Sequence, residues 1–140
     1  MNDRREFLIT GMTGFAASLI ATREASAAPS ARQLVQRDAP AVNLDGWQMT
    51  ATEVTYPPGE ASGIHRHPGF VVGYVLEGQY RFGVNDKAPT VLSPGQMFFE
   101  SFDAPGEVHA VSGNASTTAS AKILAIVFTK KGDPVTIPGA

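Results

Sequence analysis

An all-β sandwich or barrel is the fold class that this sequence predicts, and three observations predict it. Short apolar runs recur between Trp47 and Phe128, each ended by Gly, Pro, Asn or Asp. Glycine and proline are frequent, 14 and 10 of 140 residues, as a chain of many turns requires. Beyond residue 28, no stretch carries apolar residues at i, i+3, i+4 and i+7 over three turns, so no long amphipathic helix is expected.

The first strand starts at Trp47. Trp47, Met49 and Ala51 share one phase, Val54 and Tyr56 the other, and the slip at Thr52-Glu53 predicts a β-bulge. Pro57-Pro58-Gly59 stops the strand. Residues 71–76 form a β-branched apolar run that turns at Glu77-Gly78. Tyr80, Phe82 and Val84 alternate, then Asn85-Asp86-Lys87 turns the chain again. Residues 90–92, 96–99, 108–112 and 122–128 complete the strands, with a polar surface loop over 113–118. Residues 28–46 are polar and contain proline; they read as an arm, with room for one helical turn at 32–37. No internal repeat and no second domain is visible.

The first residues read as an address. Arg4-Arg5 precedes Phe7-Leu8, residues 7–21 carry no charge, and Ala25-Ser26-Ala27-Ala28 offers a small-residue cleavage site. The paired arginines resemble a bacterial twin-arginine export signal. Fifteen uncharged residues fall short of the ~20 apolar residues that cross a bilayer, so removal of residues 1–27 and no stable membrane span are expected. The expected destination is the periplasm or the medium, reached by a route that resembles export of folded proteins.

Composition excludes several functions. With 11 Lys+Arg against 13 Asp+Glu and a net charge of -2, the chain lacks the basic face of a general nucleic-acid binder. The absence of cysteine excludes disulfides, zinc ribbons, iron–sulfur clusters and a cysteine nucleophile. A metal here must be held by His, carboxylate, amide or water.

The three histidines are His65, His67 and His109. On a strand, His65 and His67 share a face while Arg66 points away. Neutral imidazole is the commonest nitrogen ligand for first-row metals, and a third imidazole from another strand would complete a tripod with open positions. Taken alone, an H-x-H pair is equally a surface feature. Its setting decides. Gly59 stands six residues before His65, Gly78 closes the segment, and a second stretch runs from Gly95 through Pro105-Gly106 to His109, with Asn114 beyond. These two motifs and their separation resemble the small single-domain cupins.

The resemblance spans about residues 47–128 and implies a double-stranded jelly-roll barrel with a metal in its mouth, preceded by the leader (1–27) and the arm (28–46). It implies His65, His67 and His109 as metal ligands. Two departures stand out. The Glu ligand of the family falls at Val71, which cannot ligate, though Val71, Gly73 and Val75 should share the face that points into the barrel. The second motif is about three residues long, with the excess in Ser101-Phe102-Asp103-Ala104.

Glu100, after Met97-Phe98-Phe99, is out of keeping with a plain core strand. It is the candidate substitute ligand or general base; the competing assignment is a solvated rim residue. Among the aromatics Phe70, Tyr74, Phe82, Phe98, Phe99 and Phe102, ordinary core packing outweighs a ligand pocket.

The expected cofactor is one divalent transition metal: Fe, Mn, Zn, Ni or Cu. Two functions fit. One is a metal-dependent dioxygenase or isomerase acting on a small organic molecule. The other is a non-catalytic periplasmic binder of a metal or small molecule. A homodimer is expected, since exposed strand edges need cover and cupins often dimerise.

Overall fold

The computed structural model describes residues 29–101 and 106–140. The leader expected over 1–27, and Phe102, Asp103 and Ala104 of the lengthened motif, lie outside the described residues. Arg32–Ala140 form one compact unit; residues 29–31, in the unit Met1–Ala31, are exposed coil.

All regular structure in the described residues is β. The strands are β1 (Trp47–Tyr56), β2 (His65–Arg66), β3 (Gly69–Glu77), β4 (Tyr80–Val84), β5 (Thr90–Leu92), β6 (Met97–Glu100), β7 (Val108–Asn114), β8 (Ala121–Lys130) and β9 (Ile137–Pro138). They form two antiparallel sheets, ordered β1-β8-β3-β6 and β5-β4-β7-β2-β9. Consecutive strands alternate between sheets along much of the chain, the arrangement of a jelly-roll barrel. No described helix is long and apolar enough to cross a membrane.

The core lies between the sheets. Val71 and Val75 of β3, Phe98 of β6, and Ile123 and Val127 of β8 are buried against Tyr80, which comes from the opposite sheet. The Tyr80 ring meets Phe98 at 5.0 Å between centroids, so an aromatic contact bridges the two sheets. Gly73 pairs with Phe98 in the β3–β6 ladder, and a Cβ at Gly73 would overlap the Phe98 ring. Gly73→Val should therefore lower stability by about 1–3 kcal/mol, through overpacking. Denaturant unfolding measures it, and an unchanged midpoint would contradict the packing.

The first sheet is apolar on both faces, which explains why residues 71–76 read as a continuous apolar run. Phe70 stacks on Phe128 at 4.6 Å on its outer face, and residues 37–42 of the arm lie beside them. Arg37 caps that face, its guanidinium 4.3 Å from the Phe99 centroid. The helical turn with room at 32–37 does not form.

The bulge expected at Thr52-Glu53 is also absent: β1 pairs with β8 without a break from Trp47↔Lys130 to Tyr56↔Ala121. The phase slip arose because β1 is an edge strand with apolar residues on both faces, Met49 being 60% exposed. Register shifts occur instead between Val75 and Glu77 of β3 and between Gly83 and Val84 of β4.

Candidate metal centre

Strand pairing brings the histidines together. His65 of β2 stands directly opposite His109 of β7, so their side chains leave the sheet on one face. His67 follows at the end of β2. Its ring lies 5.0 Å from that of His65, and His65 lies 4.8 Å from His109. One ligating atom from each of the three falls within 4.8 Å of the others. The second motif helps to place His67: Gly106, at φ 101, passes against the His67 carbonyl where a Cβ would not fit.

Hydrogen bonds orient each ring. His65 Nδ1 lies 2.8 Å from the Gly63 carbonyl, and His67 Nδ1 lies 2.6 Å from the Val135 carbonyl. A carbonyl only accepts, so both Nδ1 atoms carry the proton and both Nε2 lone pairs are free to ligate. Burial lowers the pKa of His65 below its ordinary 6.5, against a smaller opposite effect of the Gly63 carbonyl, so the ligating neutral form is favoured. The strand that carries Val135 into place was not visible in the sequence. β9 pairs with β2, as Ile137 does with Arg66, and lays the end of the chain along the site.

His109 is held differently. Its Nε2 lies 3.2 Å from the Tyr80 hydroxyl, which continues to Ser112 Oγ at 2.8 Å. Ser112 reaches the Tyr56 hydroxyl at 2.7 Å, and Tyr56 reaches Ser62 Oγ at 3.1 Å. A chain of four hydroxyls thus runs from the imidazole to an exposed serine. Burial pushes the Tyr80 hydroxyl well above its ordinary pKa, so Tyr80 stays a neutral link. With Nε2 engaged there, Nδ1 of His109 faces the centre.

Glu100 completes the group. It is 4% exposed, and its Oε1 lies 3.0 Å from His109 Nδ1, with Oε2 4.0 Å from His67 Nε2. The alternative of a solvated rim residue is thereby set aside. Yet neither carboxylate oxygen, nor His109 Nδ1, has an aligned hydrogen-bond partner among the described residues. A buried carboxylate with no hydrogen bond is costly, and a cation among these atoms would satisfy all three. The residues fit a divalent metal: Nε2 of His65, Nε2 of His67, Nδ1 of His109 and the Glu100 carboxylate.

Val71 is 2% exposed, faces the same cavity, and is the β-ladder partner of Glu100. Other polar side chains of the two motif segments lie elsewhere. Glu77 is exposed beside Lys122, and Glu107 accepts from the Ser101 amide at 2.6 Å. Asn114 staples its loop, donating to the carbonyls of Tyr56, Pro57 and Ala119. Of the described candidate aromatics, only Phe98 lines the cavity, as the core assignment anticipates.

The comparisons agree with this construction. Residues 52–127 match the family described as Cupin_2, cupin domain. A cupin-like protein from Thermotoga maritima is similar in structure, with a TM-score of 0.55 at 16% identity over 78% of this chain and 90% of its own. The DMSP lyase DddQ from Ruegeria pomeroyi DSS-3 gives 0.52 at 21% identity, over 64% of this chain and 42% of its own. Bacillus subtilis oxalate decarboxylase, which holds Mn(II) centres, gives 0.50 at 19% identity, over 64% of this chain and 23% of its own. No curated protein matches the chain by sequence. At these identities the structures speak for the fold, and the two enzymes are much longer than the part this chain spans. The matched domain occupies more than half of the chain and contains all three clustered histidines, so this chain belongs to the cupin family.

Proposed function

We propose that the protein is a metal-dependent enzyme of small organic substrates, with a divalent metal held by His65, His67, His109 and Glu100. One observation carries the reading: a carboxylate buried without hydrogen bonds among the described residues, beside His109 and His67 in a group of three imidazoles, of which His65 and His67 have their tautomers set for ligation. Imidazole nitrogen with one carboxylate suits Mn, Fe, Zn, Ni or Cu. The Mn(II) centres of oxalate decarboxylase support a metal in this fold, without fixing which. When bound, such an ion supplies Lewis acidity and, for Fe, Mn, Cu or Ni, redox chemistry.

The protein's own part is to hold and to exclude. The cavity at the centre has a volume of about 390 Å³, and Val54, Ile64, Ile123 and Val127 give it aliphatic walls. Such walls keep bulk water from a bound substrate. Of the two classes expected, oxygen insertion asks least of these residues. Isomerisation requires a proton to be moved, and among the described lining residues Glu100 is the one carboxylate that could move it. A Glu100 that serves as ligand is not free to do so. The same shortage of acid–base groups favours the second reading, a non-catalytic binder.

Oxygen uptake separates the two. Protein loaded in turn with Fe, Mn, Cu and Ni should consume oxygen with at least one member of a catechol and diketone panel. No uptake and no product with any metal would support the binder. Metal analysis of protein from its native host identifies the ion, because recombinant loading reports only the affinity order.

The proposal includes export through the twin-arginine signal, supported by Arg4-Arg5 and the alanine-rich stretch after the apolar run. Replacement of both arginines by lysine should leave precursor in the cytoplasm; normal export would contradict it. It also includes a homodimer. β1, β6, β5 and β9 are sheet edges, and an edge strand such as β1, with Met49 exposed, gains from a partner. Light scattering at micromolar concentration should give twice the chain mass, and a monomer would oppose it.

A further inference from the structure

We propose that this centre takes a ligand with a single anionic oxygen headgroup and a short aliphatic tail, and discriminates against dicarboxylates. The inference deepens the metal-site reading above and rests on it.

The cavity has one polar pole. Three neutral imidazoles and Glu100 meet there, and a divalent cation among them would leave one net positive charge. One carboxylate or enolate oxygen neutralises that charge. Nothing in the rest of the described lining neutralises a second. No Lys, Arg, Asn or Gln is among the described residues that line it. Arg66 and Arg81 do not line it. Arg66 lies between Val108 and Ile137 in its sheet, in the phase opposite to His65 and His67.

The remaining described walls are apolar, aliphatic but for Phe98, apart from three hydroxyls. Thr52 and Ser62 are exposed at the mouth, and Thr136 belongs to the chain end that β9 pins beside His67. A hydroxyl can donate one hydrogen bond, but it brings no charge. A second carboxylate would therefore be stripped of water against Ile123, Ala125 and Val127 without a cation to meet it. A methyl group at the same place meets apolar surface and gains from burial. Some cupins act on oxalate, a dianion, and the fold alone would allow the same here. The wall chemistry of this chain selects against a second charged end.

Butyrate and succinate make the test, because they differ only by a methyl against a carboxylate. The full protein is loaded with Mn²⁺, and its metal content is measured first. Each acid is then titrated by calorimetry and by the broadening of its proton resonances. Butyrate should bind at least about tenfold more tightly than succinate, a difference of about 1.4 kcal/mol. Thr52→Arg places a cation at the exposed mouth. It should tighten succinate about tenfold relative to butyrate. Metal-loaded protein that binds succinate as well as butyrate, or binds neither, overturns the ligand class and leaves the metal site standing. Failure to take up Mn²⁺ or any other divalent metal overturns the metal site, and the ligand class with it.

Discussion

Glu100→Val should cost about a hundredfold or more in divalent-metal affinity, and adding Val71→Glu should return at least about tenfold of it. The reason lies in the β3–β6 ladder. Val71 and Glu100 are direct partners and face the same cavity. Side chains opposite each other in an antiparallel pair have Cβ atoms about 4.5–5.5 Å apart, so a carboxylate on either strand can reach the same point. On the proposed ligand set, the carboxylate that the family resemblance puts at position 71 is supplied from the neighbouring strand by Glu100.

The exchange keeps one Val and one Glu in the pair, so the packed volume is conserved. Glu100→Val alone removes a buried carboxylate that has no hydrogen bond among the described residues, so the metal-free protein should keep or gain stability. That separates loss of a ligand from loss of fold. Isothermal titration with Mn²⁺ and thermal unfolding together read both. Wild-type affinity in Glu100→Val would show that Glu100 does not ligate. No recovery in the double variant would show that position 71 cannot reach the centre.

Tyr80→Phe should lower metal affinity about 10–100-fold, the range for loss of a partner that orients a ligating histidine. For Nδ1 of His109 to ligate, Nε2 must carry the proton and donate it to the Tyr80 oxygen, 3.2 Å away. Tyr80 can then donate to Ser112, Ser112 to Tyr56 and Tyr56 to Ser62, so every hydroxyl points one way. Phenylalanine keeps the ring contacts with Phe98 and Tyr56 but leaves the imidazole without its acceptor. A purely structural role would lower stability and leave the metal spectrum alone. Orientation predicts a changed ligand field in the Co²⁺-loaded variant. An unchanged Co²⁺ spectrum with unchanged affinity would remove Tyr80 from the account.

Much of the site was legible before the structure. The H-x-H spacing put two imidazoles on one side of the chain, and the structure groups both with His109, although His67 lies just beyond the two-residue β2. Val71 faces the cavity as its phase with Gly73 and Val75 required. Glu100 was conspicuous as a carboxylate closing an aromatic run. What the sequence could not show is non-local. That Val71 and Glu100 are ladder partners depends on a register set by the intervening turns. Three of the four links in the hydroxyl chain join residues 29 to 56 positions apart, and each hydroxyl alone carries no signal. β9 is only two residues long and exposed, so neither periodicity nor hydrophobicity marks it, although Val135 beside it orients His67. The false bulge in β1 has the opposite cause. An edge strand with apolar residues on both faces imitates a phase slip that the paired register does not contain.

The centre itself is tested most directly by the metal content of the purified full chain and of its His67→Ala variant. His67 is 9% exposed, its Nδ1 is committed to the Val135 carbonyl, and its Nε2 faces Glu100, so it has no role that water could replace. The account predicts about one divalent ion per chain in the wild type and a content far below that in the variant, with a circular dichroism spectrum still that of a β protein. A His67→Ala protein that keeps its full complement of metal would contradict it.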